Sequence, residues 1–123
     1  MSSRYAGRLP STYAEAERML GNRERRTLVN NTVIEAGGRF RINVLFHGNL
    51  IAAFDPDGSR MLTNCGYGTV STRERLNSMA PAHVSFVQRD HAQQVHVWQG
   101  DGVPARVIDG GTVRIDSDGR VSA

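Results

Sequence analysis

The fold of this chain is decided by residues 39–64, which read RFRINVLFHGNLIAAFDPDGSRMLTN. From Phe40 to Phe46 apolar and polar residues alternate, which is the period of a strand with one buried face. Leu50–Phe54 is apolar throughout and predicts an interior strand. Residues 55–58, DPDG, are typical of a tight turn, and residues 60–64 predict the strand that returns. Three successive antiparallel strands form a meander.

The upstream segment adds a helix and a strand to this meander. Thr12 and Glu15 form a capping box, and the apolar spacing after it predicts a helix over Tyr13–Leu20. Residues 22–30 are expected to continue it as one or two further turns. Residues 32–35 are expected to form a hairpin with the first strand of the meander, closed at Gly37-Gly38.

The downstream segment returns to strands after a second helix. Ser71 and Glu74 form another capping box, which predicts a central helix over about 72–79 that ends before Pro81. Strands are expected over 83–89 and 94–99, and a last hairpin over 106–115. We therefore expect one α+β domain, mostly antiparallel meander and hairpins, over residues 11–123. Residues 1–10 lack periodicity and predict a flexible arm.

Composition excludes several classes of protein. A chain of 123 residues has room for one core, and 39% hydrophobic with 22% charged residues is typical of a globular domain rather than a disordered one. The longest apolar run, Leu50–Phe54, is far too short to cross a membrane, and residues 1–12 lack the apolar stretch of a secretory signal. The single cysteine suits a reducing compartment. We expect a cytoplasmic protein of a bacterial host cell.

Sequence motifs for catalysis and cofactors are missing. The four histidines and Cys65 match no zinc spacing, and no Walker loop, dinucleotide fingerprint or nucleophile elbow is present. The sequence therefore predicts no metal, no cofactor and no enzymatic activity. Cys65 precedes a helix start, where a thiolate with His47 or His83 as its base is conceivable, but a buried small hydrophobic residue is the favoured interpretation.

The basic residues suggest a phosphate-binding surface. All fifteen are arginine, and residues 1–41 hold eight of them against four carboxylates. Codon usage in a GC-rich genome explains an arginine bias, as does selection for a guanidinium that grips phosphate with two hydrogen bonds. Four arginines form a local cluster, Arg18, Arg23, Arg25 and Arg26. This basic cluster is a candidate phosphate surface or, alternatively, a solvated helix end.

A second candidate phosphate site lies at the start of the central helix. Free amides at a helix start attract anions, glycines let a ligand approach the backbone, and hydroxyls and guanidinium groups add donors. The candidate residues are Gly68, Thr69, Ser71, Thr72, Arg73 and Arg75. An ordinary capped helix accounts for the same residue types. Tyr67 and Trp98 are candidate aromatic anchors for a partner protein.

Three segments carry a family resemblance. Residues 44–51 (VLFHGNLI), 56–58 (PDG) and 66–77 (GYGTVSTRERLN) follow one another as in an uncharacterised family of small proteins carried by bacteriophages and plasmids, which the chain resembles over roughly residues 20–90. Cys65 replaces a residue that is usually small and not a thiol there, and Arg73 stands where lysine is frequent. The resemblance implies a mobile-genetic-element context and no particular activity.

Two functional hypotheses follow from these residues. The first is a non-enzymatic phage accessory module that binds nucleic acid or another phosphate-bearing ligand. The second is a phage protein that binds and modulates a host protein, for example a component of a defence system. An enzyme that depends on Cys65 is the least supported alternative, and the sequence does not fix an oligomeric state.

Overall fold

The computed structural model of the chain describes Tyr5 and residues 7–123. Within these residues two helices and ten strands follow one another. They are α1 (Tyr13–Leu20), β1 (Arg25–Val29), β2 (Thr32–Ala36), β3 (Ile42–Phe46), β4 (Asn49–Phe54), β5 (Arg60–Thr63), α2 (Val70–Met79), β6 (Val84–Arg89), β7 (Ala92–Val97), β8 (Arg106–Asp109), β9 (Thr112–Ile115) and β10 (Val121–Ser122). The α+β fold predicted from the sequence is confirmed.

The strands form two antiparallel sheets. The larger sheet has the order β1-β2-β3-β4-β5-β9-β10, and the smaller one the order β6-β7-β8. The predicted meander forms β3, β4 and β5, with β4 hydrogen-bonded on both sides. Its all-apolar sequence suits that interior position, because an interior strand with both faces covered has no wet side.

One core joins both sheets and both helices. Five residues in direct register cross the large sheet as a fully buried row: Ile34, Val44, Ala52, Leu62 and Val113. Helix α1 packs against β2 and β3, and α2 packs against both β4 and β6. Helix α2 therefore lies where the two sheets meet.

The helical extension expected over residues 22–30 is wrong. Arg25–Val29 is a strand that pairs with Thr32–Ala36, and the chain turns at Asn30-Asn31, where Asn31 adopts a φ of 55°. Asparagine tolerates this left-handed conformation, so the pair closes a tight hairpin. Pairing with β2 makes β1 the outer strand of the large sheet and outweighs a weak helical pattern.

The last hairpin predicted from the sequence is also wrong. Strand β8 pairs with β7 in the small sheet, whereas β9 pairs with β5 in the large one. The glycines between them serve different sheets: the Gly110 amide donates to the carbonyl of Gln93 at 2.8 Å, and the Gly111 carbonyl accepts from the amide of Asn64 at 2.8 Å. The short strand β10, which the sequence did not indicate, then pairs with β9.

The predicted flexible arm, residues 1–10, lies partly outside the described residues, which omit 1–4 and 6. Of the described part, Tyr5 and Leu9 are buried and belong to the core. The Leu9 amide donates to the Tyr5 carbonyl at 3.2 Å.

Candidate functional site

A cleft of about 450 Å³ opens between the β3–β4 turn and the start of α2. We call it the α2 cleft. Its lining comes from two separate segments of the chain and is made of Phe46, His47, Asn49, Ile51, Asn64, Tyr67, Thr69, Ser71 and Thr72. The structure therefore brings four of the predicted site residues, Tyr67, Thr69, Ser71 and Thr72, to one place.

The wall formed by α2 begins two residues earlier than the capping box predicts. Thr69, and not Ser71, is the N-cap: its hydroxyl oxygen accepts from the Thr72 amide at 3.2 Å and lies 2.9 Å from the Thr72 hydroxyl. Thr69 takes the cap because it has the extended backbone that a capping residue requires. The Ser71 side chain is thereby left to the cleft. The amides of Val70 and Ser71, at the first turn, have no partner among the described residues.

The opposite wall was not predicted from the sequence as part of a site. His47 and Gly48 are the central residues of the β3–β4 turn, with φ of 51° and 80°. Their left-handed backbone turns the chain so that His47 and Asn49 both face the cleft. His47 and Asn49 both lie within residues 44–51, a segment that carries the family resemblance. That resemblance could have indicated these two residues as part of a site.

Asn64 forms the floor beside the loop that leads to α2. It is 8% exposed, its carboxamide oxygen accepts from the Gly66 amide at 2.9 Å, and its carbonyl accepts from the Tyr67 amide at 2.8 Å. These bonds fix the loop and hold Tyr67, which is 55% exposed, at the mouth of the cleft.

The predicted site residues Gly68, Arg73 and Arg75 do not line the cleft. Gly68 lies against β7, where an added Cβ would come within 2.5 Å of the Gln93 side chain. Arg73 donates to the Gly68 carbonyl at 2.8 Å and to Gln88 at 2.9 Å. Packing and internal hydrogen bonds thus account for these two residues.

Arg75 is 4% exposed and its guanidinium is used inside the protein. It donates to the Thr32 hydroxyl at 2.8 Å and to the carbonyls of Ser71 and Asn30, each at 3.1 Å. Its Cζ lies 3.8 Å from the centre of the Phe46 ring, which lines the cleft. All three acceptors are uncharged, so the positive charge directly behind the cleft wall is not neutralised by a hydrogen-bonded carboxylate.

The interpretation of Cys65 as a buried hydrophobic residue is wrong. Cys65 is exposed, with a φ of 53°, in the turn that follows β5. Its amide donates to the Thr63 hydroxyl at 3.0 Å, which fixes the backbone outside the sheet and leaves the thiol in solvent. Cys65 is not among the residues that line the α2 cleft.

The basic cluster spans the last turn of α1, the loop after it and the outer strand β1. Arg18 and Arg23 are exposed. Arg25 pairs with Glu35 at 3.7 Å, and Arg26 donates to the Met19 carbonyl at 2.7 Å. Arg25 is in register with Glu35 at one end of β2, while the cleft adjoins the other end. The structure therefore separates the two candidate phosphate sites.

Trp98 and Tyr67 do not form one surface. Trp98 is 60% exposed in a different groove of about 600 Å³ on the small sheet. His83, Ser85 and His96 line this groove with it.

The described residues contain neither a cluster of metal ligands nor a helix that could span a membrane. No group of three or more histidine, cysteine, aspartate or glutamate side chains in this part of the chain is placed to hold a metal ion. Neither α1 nor α2 is long and apolar enough to cross a membrane.

These features define a class, that of small two-sheet α+β proteins with a cleft at a helix start. The chain belongs to the Kyanoviridae Gp96 protein family, whose model matches residues 11–109, and the phage context expected from the sequence is thereby confirmed. Both walls of the α2 cleft lie inside the matched region. No curated protein and no solved structure matches the chain.

Proposed function

We propose that this phage protein is a non-enzymatic binding module that holds a phosphate-bearing ligand, nucleic acid foremost, in the α2 cleft. The observation that carries the proposal is the convergence of residues 46–51 and 64–72 on one cleft whose lining includes hydroxyl, carboxamide and imidazole groups. Hydroxyl, carboxamide and imidazole groups in a concave site are the usual means of orienting a small ligand.

The electrostatics of the cleft favour an anion. The first turn of α2 holds no acidic residue, so nothing there offsets the positive end of the helix. The amides of Val70 and Ser71 are available as donors, and Arg75 adds a buried positive charge behind Phe46. No carboxylate is among the lining residues. The start of α2 and the buried Arg75 therefore both attract a phosphate group, and none of the lining side chains repels it.

The lining favours binding over catalysis. His47 and Tyr67 are its titratable side chains, and it includes neither a cysteine nor a carboxylate to act with the imidazole. General acid–base or nucleophilic chemistry needs a second group within hydrogen-bond reach of the first. The exposed ring of Tyr67 supplies instead a flat apolar face for a sugar or a base.

The test is a Ser71→Glu variant titrated with adenosine monophosphate. A carboxylate in the first turn of α2 stabilises the helix, so the free energy of unfolding should rise by about 0.5 kcal/mol. The same charge repels a phosphate in the cleft, and we expect affinity to fall by about tenfold.

Ser122→Glu is the matched control, because it makes the same substitution at an exposed position of β10, away from the cleft. It should leave the affinity unchanged. Equal affinity in wild type and Ser71→Glu, or equal losses in the two variants, would contradict the proposal.

A second candidate function rests on Trp98. This side chain is exposed together with Val103 and Val107, which are half exposed, on or beside the small sheet. Exposed aromatic groups of this kind anchor protein interfaces. Docking on a host protein predicts that one host protein is captured at high salt by wild type and lost with Trp98→Ala, while Val70→Ala, a change at another exposed apolar residue, retains it.

A further inference from the structure

The turn of the β2–β3 hairpin carries an aromatic side chain that is almost entirely exposed. Phe40 is 83% exposed, the highest value among the exposed large apolar side chains of the described residues. The sequence predicts it as part of strand β3, but β3 begins at Ile42. Phe40 and Arg39 are instead the central residues of a turn that the Arg41 amide closes with the Gly38 carbonyl at 2.9 Å.

This conformation is unfavourable for a bulky residue. Arg39 and Phe40 have φ of 51° and 65°, in the left-handed region where asparagine and glycine are preferred. The β3–β4 turn of the same sheet has His47 and Gly48 at the corresponding positions. Phenylalanine disfavours the backbone conformation of this turn, and its side chain contributes little to the core. Stability therefore does not explain why this residue is found here.

The turn nevertheless holds the ring in a defined place. The Tyr13 hydroxyl donates to the Phe40 carbonyl at 2.8 Å, and burial together with the nearby Glu17 carboxylate raises the pKa of Tyr13 above its ordinary value of 10.0, so the proton stays on the donor. On the other side, Arg41 donates to Asp55 at 2.8 and 3.4 Å. Phe40 is thus presented on a turn tied to α1 and to the end of β4.

Phe40 has arginine neighbours both in sequence and in the groove beside α1. Arg39 and Arg41 flank it in sequence, and Arg23 of the basic cluster lines the same groove of about 350 Å³ beside α1 as Phe40 does. Two carboxylates face this region directly: Glu17 also lines the groove, and Asp55 is bonded to Arg41. Glu24 and Glu35 adjoin the groove at Ala36, and Glu35 pairs with Arg25. Arg23 and Arg39 are exposed and have no salt bridge to a carboxylate of the described residues.

We propose that the Phe40 turn, with Arg23 and Arg39, is a binding surface for single-stranded nucleic acid, on which an unpaired base stacks against the Phe40 ring and the arginines contact the neighbouring phosphates. Aromatic rings beside cationic groups are the usual means of holding a single strand. A duplex offers no free base face to the ring, because its bases are stacked on each other. The surface is separate from the α2 cleft and goes beyond the function proposed for it.

The test compares Phe40→Gly with His91→Gly in fluorescence anisotropy titrations of labelled single-stranded DNA, single-stranded RNA and duplex DNA. His91 is the matched control, since it is exposed and has a φ of 64° at the second position of the β6–β7 turn. Both variants should raise the melting temperature, because glycine relieves the left-handed backbone.

Of the two glycine variants, only Phe40→Gly should weaken single-strand binding, by about fivefold to a hundredfold. Phe40→Trp, which keeps an aromatic ring at this position, should bind the single strand as wild type does. The DNA and RNA arms tell which nucleic acid is the ligand. Unchanged single-strand affinity in Phe40→Gly, equal losses in both glycine variants, or duplex bound as tightly as single strand would overturn the inference.

The outcomes also separate this surface from the cleft. Phe40→Gly should leave the affinity for adenosine monophosphate unchanged, because the monophosphate is assigned to the α2 cleft. Loss of oligomer binding in Ser71→Glu but not in Phe40→Gly would reject the stacking surface and leave the cleft proposal standing. Loss of oligomer binding in Phe40→Gly, together with an adenosine monophosphate affinity that Ser71→Glu leaves unchanged, would reject the cleft and keep the stacking surface.

Discussion

Arg75 shows how one residue links the fold to the candidate site. Its guanidinium ties α2 to the β1–β2 turn through Asn30 and Thr32, and it lies between the rings of Tyr5 and Phe46. A buried cation is costly to desolvate, so the hydrogen bonds to uncharged acceptors and the two ring contacts are needed to hold this charge behind the cleft.

Replacing this residue should destabilise the protein strongly. Arg75→Met keeps the apolar stem but leaves the Thr32 hydroxyl and the Asn30 carbonyl without their donor. We expect the free energy of unfolding to fall by about 3 kcal/mol. Arg73→Met, which removes the donor to Gly68 and Gln88 at a half-buried position, should cost about 1 kcal/mol. Urea denaturation measures both, and equal losses would show that the burial of Arg75 has no energetic consequence.

The candidate site was predictable at the residue scale only where the chemistry is local. Thr69, Ser71 and Thr72 were singled out because glycines and hydroxyls at a helix start suggest an anion site, and all three line the cleft. His47 and Asn49 approach them only after β3 and β4 have formed, a long-range arrangement that no spacing in the sequence encodes. Arg75 was expected at the surface, because a burial that depends on Thr32 and Asn30 is equally non-local.

At the scale of elements, the start of α2 decides how the cleft is built. The capping box of Ser71 and Glu74 predicted Ser71 as the N-cap. The structure assigns the cap to Thr69, which places the Ser71 hydroxyl beside the cleft.

Two alanine variants test the assignment of Thr69 as the N-cap of α2. Thr69→Ala removes the acceptor of the Thr72 amide and should lower the free energy of unfolding by about 1 kcal/mol. Ser71→Ala removes a side chain that has no hydrogen-bond partner among the described residues, and stability should change by less than about 0.5 kcal/mol. Thermal and urea denaturation would contradict the account if Ser71→Ala were the more destabilising of the two.

The elements that the sequence predicted correctly are those with strong local signals. The all-apolar Leu50–Phe54 segment, the turn at residues 55–58 and the capped α1 each agree with their surroundings, so pattern and fold coincide. The errors concern weak patterns that tertiary pairing decides. Residues 25–29 become a strand because β2 offers them a partner, and residues 106–115 are divided between two sheets instead of pairing with each other.

For the whole molecule, the two proposed surfaces lie at opposite ends of β3. Phe40 precedes this strand and Phe46 ends it, a separation of about 20 Å for an extended chain. The basic cluster borders the Phe40 end. One flexible strand of nucleic acid can therefore reach both surfaces, with the arginines supplying a salt-dependent attraction that is independent of sequence.

The salt-dependent attraction should come from the arginines of the basic cluster and not from the net charge of the protein. The double variant Arg23→Ala with Arg25→Ala should reduce the slope of log K against log salt concentration, for a single-stranded oligomer, by about 1.4. Arg114→Ala with Arg120→Ala removes the same charge at exposed positions in and after β9, and should leave the slope nearly unchanged. Equal effects of the two double variants would indicate a response to net charge alone.

The central claim is that the α2 cleft binds phosphate, and amide chemical-shift mapping by NMR during titration with adenosine monophosphate tests it most directly. The account predicts the largest saturable shifts at Val70, Ser71, His47 and Asn49, since two of these amides face the ligand and two belong to the opposite wall. Saturable shifts confined to residues outside the cleft, or none at millimolar ligand, would contradict it.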